Sequence, residues 1–126
     1  MKTNIKTYTD EYGHKIVKEY NEHEKLVKTT IYYRSDNQTI KQICEYNENE
    51  KLVKRIYYGY DGKTILSTYE YNENEKLVKQ TVYYDDGKTI EEITDYNENE
   101  KVINQIYYNR NGTINHINEY NQNEKF

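Results

Sequence analysis

The stretch YNENEKLVKQTVYYDDGKTIEEITD, residues 71–95, decides how the whole chain is read. It holds two runs rich in β-branched residues and tyrosine, Lys76 to Tyr84 and Thr89 to Tyr96. Between them, Asp85-Asp86-Gly87-Lys88 supplies what a tight hairpin needs. Glycine takes positive φ without steric cost, and aspartate tolerates the left-handed region. The leading Asn72-Glu73-Asn74-Glu75 is polar and turn-prone. The unit therefore reads as turn, strand, glycine turn, strand. A helix over EKLVKQTVYY is disfavoured, because Thr81, Val82, Tyr83 and Tyr84 would each lose rotamer freedom against the preceding turn.

Working outward, the nine residues YNENEKLVK at 71–79 recur unchanged at 46–54. Weaker copies start at Tyr20, Tyr96 and Tyr120. The chain is a tandem repeat with a period of about 25 residues. It divides into a partial repeat 1–19, repeats 20–45, 46–70, 71–95 and 96–119, and a partial repeat 120–126. The glycine turn recurs as Asp61-Gly62 and Asn111-Gly112. In the first full repeat Asp36-Asn37 stands in its place, with Asn37 expected in the left-handed position.

The expected fold is all-β: an antiparallel meander of repeated β-hairpins, forming an open, twisted single-layer or partly curled sheet. Taken as an unbroken strand, Lys76 to Tyr84 shows mixed faces, unlike a sandwich strand. From the opening tyrosine to the second tyrosine of each pair, the spacing alternates between 13 and 12 residues, counted at Tyr33, Tyr58, Tyr84 and Tyr108. An extra residue in alternate first strands would flip later side chains unless a bulge absorbs it. The expected bulges lie near Thr29-Thr30 and Gln80-Thr81.

Composition narrows the classes. Seventeen tyrosines against one Phe and no Trp make tyrosine the main source of buried area. Leu, Ile, Val and Phe number 24 of 126, so the core is thin. The net charge of −4, without a basic stripe, argues against binding nucleic acid through phosphates. No apolar run is long enough to insert in a membrane as a helix. The start MKTNIKTYTDEYG lacks an apolar signal core, which leaves a cytoplasmic protein or one secreted after processing. The wealth of Lys, Asn, Ile, Tyr and Glu fits an AT-rich genome.

The search for chemistry comes up empty. Cys44 is alone and reads as a small strand residue. His14, His23 and His116 have no metal-ligand spacing. The acidic turns are too short for a calcium loop. Glu45, Glu70, Asp95 and Glu119 recur in every unit, whereas a catalytic site is built once. No nucleophile elbow, phosphate loop or dinucleotide fingerprint occurs. The expectation is a non-enzymatic protein without catalytic residues, metal or cofactor.

The YNENEKLVKQTVYYDDGKTIEEITDY pattern resembles the tyrosine-rich tandem-repeat family of unknown function common in phytoplasmas. Its repeats read like Y[DN]xxTGKLxKxTxYxxDGKTIxxIxEYD. The likeness runs from about Tyr20 onward and rests on Lys-Leu-Val-Lys, the tyrosine pair, and Asp-Gly-Lys-Thr-Ile at 61–65 and 86–90. It departs at Asn74-Glu75, where the family favours Thr-Gly, which implies another turn type there. The resemblance implies a host-associated, wall-less bacterium and no assigned activity.

The tyrosines are the one recognition feature, expected to form ladders of Tyr57, Tyr83 and Tyr107 or of Tyr58, Tyr84 and Tyr108. Tyrosine gives rigid amphipathic contact area at low entropic cost. A protein partner follows as the first expectation, with self-association through edge strands beside it. A carbohydrate- or surface-binding repeat and a structural spacer or designed consensus repeat are the rivals.

Overall fold

The structure is a computed structural model that describes residues 4–120. The last partial repeat, 120–126, therefore lies outside the described residues except for Tyr120. Ten strands follow in order: β1 Asn4–Thr9, β2 Lys15–Tyr20, β3 Leu26–Tyr32, β4 Ile40–Tyr46, β5 Leu52–Tyr58, β6 Ile65–Tyr71, β7 Leu77–Tyr83, β8 Ile90–Tyr96, β9 Val102–Tyr108 and β10 Ile114–Glu119. They form one antiparallel sheet in sequence order, β1 to β10, and each strand touches only its sequence neighbours. The sheet is open, so the meander stands and closure into a barrel does not occur.

Both turn types build themselves locally. In the four NENE-type turns, the side-chain oxygen of Asn21, Asn47, Asn72 or Asn97 accepts the amides two and four residues on. The last turn residue, Glu24, Glu50, Glu75 or Glu100, sits at φ near 60°. This corrects the expectation of another turn type: glutamate here holds the left-handed position that glycine favours. A non-glycine residue there costs about 1–2 kcal/mol. Something offsets that cost: Glu50, Glu75 and Glu100 each accept the amide of the first strand residue one repeat back, at Leu26, Leu52 and Leu77.

In the glycine turns, Gly62 and Gly87 have φ of 69°, and Asn37 takes the same region at 55°, as expected. Asp36, Asp61 and Asp86 each accept two backbone amides and the hydroxyl of the threonine three residues on. Those bonds, the threonine hydroxyl first, hold the three carboxyls down at about 2.

The bulges are regular and lie elsewhere than expected. Pairing runs unbroken through Thr29-Thr30 and Gln80-Thr81. Instead Val27, Val53, Val78 and Ile103 are the extra residues after each NENE turn. Lys41, Leu66, Glu91 and Asn115 are the extra residues after four of the glycine turns. The central strands are equally long, and the length differences fall in the glycine turns. What alternates is the tyrosine pair, which slides by one place: Tyr32 and Tyr83 occupy the strand position of Tyr58 and Tyr108.

The bulges also resolve the mixed faces. On one face, Leu26, Leu52, Leu77 and Val102 lie opposite Tyr20, Tyr46, Tyr71 and Tyr96. On the other, Tyr32, Tyr58, Tyr83 and Tyr108 lie opposite Ile40, Ile65, Ile90 and Ile114. Without the extra residue, each Leu or Ile would fall on the opposite side. That second face also carries a row of alternating charge, Glu19, Lys28, Glu45, Lys54, Glu70, Lys79 and Asp95, each paired with the next strand. The acidic residues Glu19, Glu45, Glu70 and Asp95 are thus cross-strand partners for lysine, whereas Glu119 faces Asn104.

The core is thin. Among the described residues Ile43 and Cys44 are the buried hydrophobic residues, joined by Thr29, Thr30, Gln42, Thr68, Thr81 and Thr94. Cys44 is a free thiol packed in β4. Most other strand residues are half-buried under tyrosine rings and basic side chains, with Lys6 over Tyr20, Lys15 over Tyr32 and Arg55 over Tyr71.

Candidate functional site

The six tyrosines singled out from the sequence do not form one ladder. Tyr58, Tyr83 and Tyr108 share a row on one face, continued by Tyr32. Tyr57 and Tyr107 lie on the other face, level with Ile31 and Val82. Tyr84 begins the turn after β7. This corrects both expected ladders, and the reason is the sliding tyrosine pair. All six rings are half-buried. Tyr57 packs edge-on against Tyr69 with centroids 5.4 Å apart, and Tyr107 stacks on His116 at 4.4 Å. The Tyr84 hydroxyl donates to the Tyr108 carbonyl at 2.6 Å, and Arg110 lies over its ring at 4.6 Å.

The most exposed rings are elsewhere. Tyr60 is 86% exposed and Tyr12 65% exposed, both in glycine turns. They flank Tyr33 and Arg34, the first two residues of the turn after β3. Stacking of successive turns brings this set together. The Tyr33 and Tyr60 rings are tilted together at 4.8 Å, and the Tyr33 hydroxyl donates to the Tyr58 carbonyl at 2.5 Å. Arg34 donates to the Tyr12 carbonyl at 3.1 Å, and Lys41 reaches over the Tyr33 ring at 6.0 Å. His14 is hydrogen-bonded to Asp10 at 3.1 Å. Together Tyr12, His14, Tyr33, Arg34, Lys41 and Tyr60 surround an open depression of about 700 Å³. Burial, then the neighbouring Tyr60 and Asp61, pushes the Tyr33 phenol up, so the ring is neutral at ordinary pH.

Sequence reasoning missed Tyr12 and Tyr60 because it looked for residues that recur. The signal was the opposite. Tyr60 holds the second turn position, where other repeats carry Arg34, Asp85 and Arg110. In the last such pair Arg110 makes an ion pair with Asp85 at 3.0 Å. Among the described residues no group of three or more His, Cys, Asp or Glu is arranged to hold a metal. Among the described residues no helix is long and apolar enough to cross a membrane.

Ten strands in sequence order, with stacked turns and a thin shared core, define a tandem β-hairpin repeat protein. Its family's sequence profile matches in four overlapping windows, residues 8–57, 33–82, 58–102 and 83–126, each spanning about two repeats. The chain belongs to that family, described as a protein of unknown function (DUF2963). No curated protein sequence matches it. Solved structures with a similar sheet include the GtfA/B complex bound to UDP and GlcNAc, with a TM-score of 0.61 and 13% identity. A mutant of S. aureus TarM in complex with fondaparinux, alpha-GlcNAc-glycerol and UDP aligns with a TM-score of 0.60 and 15% identity. The alignments cover 91% and 88% of this chain but only 24% and 21% of those chains. At such identity the likeness is one of fold, and the chain spans less than a quarter of the length of either.

Proposed function

We propose that this chain is a non-enzymatic protein-binding module whose contact surface is the Tyr12–Tyr33–Arg34–Tyr60 cluster. The observation that carries the reading is the exposure of Tyr60 and Tyr12 beside an arginine, on turns held by a hydrogen-bonded sheet. Tyrosine and arginine dominate binding hot spots, and rigid presentation lowers the ordering cost of association. Tyr57, Tyr58, Tyr83, Tyr84, Tyr107 and Tyr108 then serve mainly to cover the sheet, with their exposed edges as a secondary contact. The AT-rich composition supports an origin in a host-associated, phytoplasma-like bacterium, where the partner would be sought.

The test is a pull-down from such cells with the wild-type chain and with a Tyr12→Ser, Arg34→Ala, Tyr60→Ser variant. All three residues sit in turns, so the β-sheet circular dichroism should persist. A partner retained by the wild type and lost by the variant supports the reading. A partner retained equally by both overturns it. The carbohydrate alternative would show instead as binding on a glycan array that falls with the same variant.

A further inference from the structure

The two ends of the meander are built alike and left open. Among the described residues nothing covers the outer edge of β1 or of β10. The exposed large apolar residues concentrate there: Ile5 and Tyr8 on β1, Ile114 and Ile117 on β10, and Tyr120 just after it. Ile5 is 62% exposed and Ile117 48%, whereas Ile43 and Ile93, which hold the position of Ile117 in inner strands, are buried and half-buried.

The backbone shows which groups face outward. The Asp10 amide donates to the His14 carbonyl across the β1–β2 turn. Bonded pairs alternate along an antiparallel ladder. Tyr8 and Lys6 therefore bond inward to β2, and the amides of Thr7 and Ile5 point out. At the other end the Tyr120 amide donates to the Ile103 carbonyl. By the same alternation Asn118 bonds inward, and the amides of Ile117 and Glu119 point out.

These two edges match. An even-numbered strand followed by an odd-numbered one is a junction the chain makes four times internally, at β2–β3, β4–β5, β6–β7 and β8–β9. In each, the residue equivalent to Ile117 faces the one equivalent to Thr7: Val17 with Thr30, Ile43 with Ile56, Thr68 with Thr81, and Ile93 with Ile106. We propose that β10 of one copy pairs antiparallel with β1 of a second copy, Ile117 opposite Thr7 and Glu119 opposite Ile5, which gives head-to-tail assembly. The contact is heterologous, so it leaves a free edge at each end of a dimer and adds further copies head to tail. It does not depend on the tyrosine–arginine cluster, which lies on the turns.

One mismatch makes the register testable. Inside the chain, the glutamates equivalent to Glu119 face lysines at Lys28, Lys54 and Lys79, whereas Glu119 would meet Ile5. Sedimentation of the full chain over a concentration series should show mass rising with concentration. Thr7→Pro removes an outward donor from β1, and Ile117→Pro removes one from β10, both at edge positions where proline is tolerated. Each variant alone should remain monomeric, and an equimolar mixture should give dimers through the one intact pair of edges. Ile5, being exposed, permits milder variants: Ile5→Lys should tighten association and Ile5→Glu weaken it, each about two- to fivefold, with the difference lost in high salt. A wild type that stays monomeric throughout, a Thr7→Pro variant that still pairs with itself, or equal association of Ile5→Lys and Ile5→Glu would overturn the proposal.

Discussion

At the scale of single residues, the glycine turns differ more than their sequences suggest. Gly62 and Gly112 both need positive φ. A Cβ on Gly62 would lie 2.8 Å from Thr39 Cγ2 and 3.2 Å from the Ile40 amide nitrogen, because its turn stacks on the preceding one. A Cβ on Gly112 meets nothing within 4 Å. Gly112→Ala should cost only the left-handed strain, about 1–2 kcal/mol. Gly62→Ala adds a steric conflict with backbone and should lose roughly 1–3 kcal/mol more. Urea denaturation of the two variants measures the gap; equal losses would mean that the turns do not stack as described. Asp-Gly as a turn and Asn37 in the left-handed region were legible in the sequence, because those preferences are local. The stacking was not, since it depends on turns 25 residues apart meeting in space.

At the scale of elements, strand identity was readable and strand register was not. β-Branched residues and tyrosine mark all the central strands. Bulges were expected but at the wrong place, because the tyrosine pair looked like a fixed landmark, while the invariant points are the tyrosines beside the turns, Tyr46, Tyr71 and Tyr96 among them. Val78 and Glu91 carry no local mark of being the extra residues; the cross-strand pairing of Leu77 with Tyr71 and Ile90 with Tyr83 makes them so. The NENE turn offers a direct test of how a strained residue is retained. Glu75 has φ of 59° and accepts the Leu52 amide at 2.9 Å. Glu75→Ala keeps the strain and loses the bond, whereas Glu75→Gly loses the bond and relieves the strain. The alanine variant should be less stable than the glycine variant by about 1 kcal/mol, as read from thermal unfolding. An alanine variant as stable as the glycine one would remove the strain from the account.

At the scale of the molecule, the candidate site was the least legible part. Tyr60 stands outside every repeated feature, and it meets Tyr33, Arg34 and Tyr12 only because the turns of three successive hairpins lie side by side. The modular sheet itself was legible, and it makes a strong claim about deletion. Removing residues 46–70 joins Glu45 to Tyr71, a junction equivalent to the natural Glu70–Tyr71 step. The shortened chain should keep its β-sheet spectrum and unfold in urea with a slope lower by about a fifth, in line with the surface it no longer exposes. A chain that loses its fold on this deletion would show that the repeats are not interchangeable.

The linear strand order also sets how the molecule answers to force. The first strand begins and the last strand ends at opposite extremes of the sheet. A pull on the two ends therefore runs along the inter-strand hydrogen bonds and loads them one after another, like a zip. Each strand with the turn that follows it is 11 to 14 residues and releases about 40 Å of chain. The molecule yields in small, even steps at low tension: a soft spring, whose extensibility is counted in repeats.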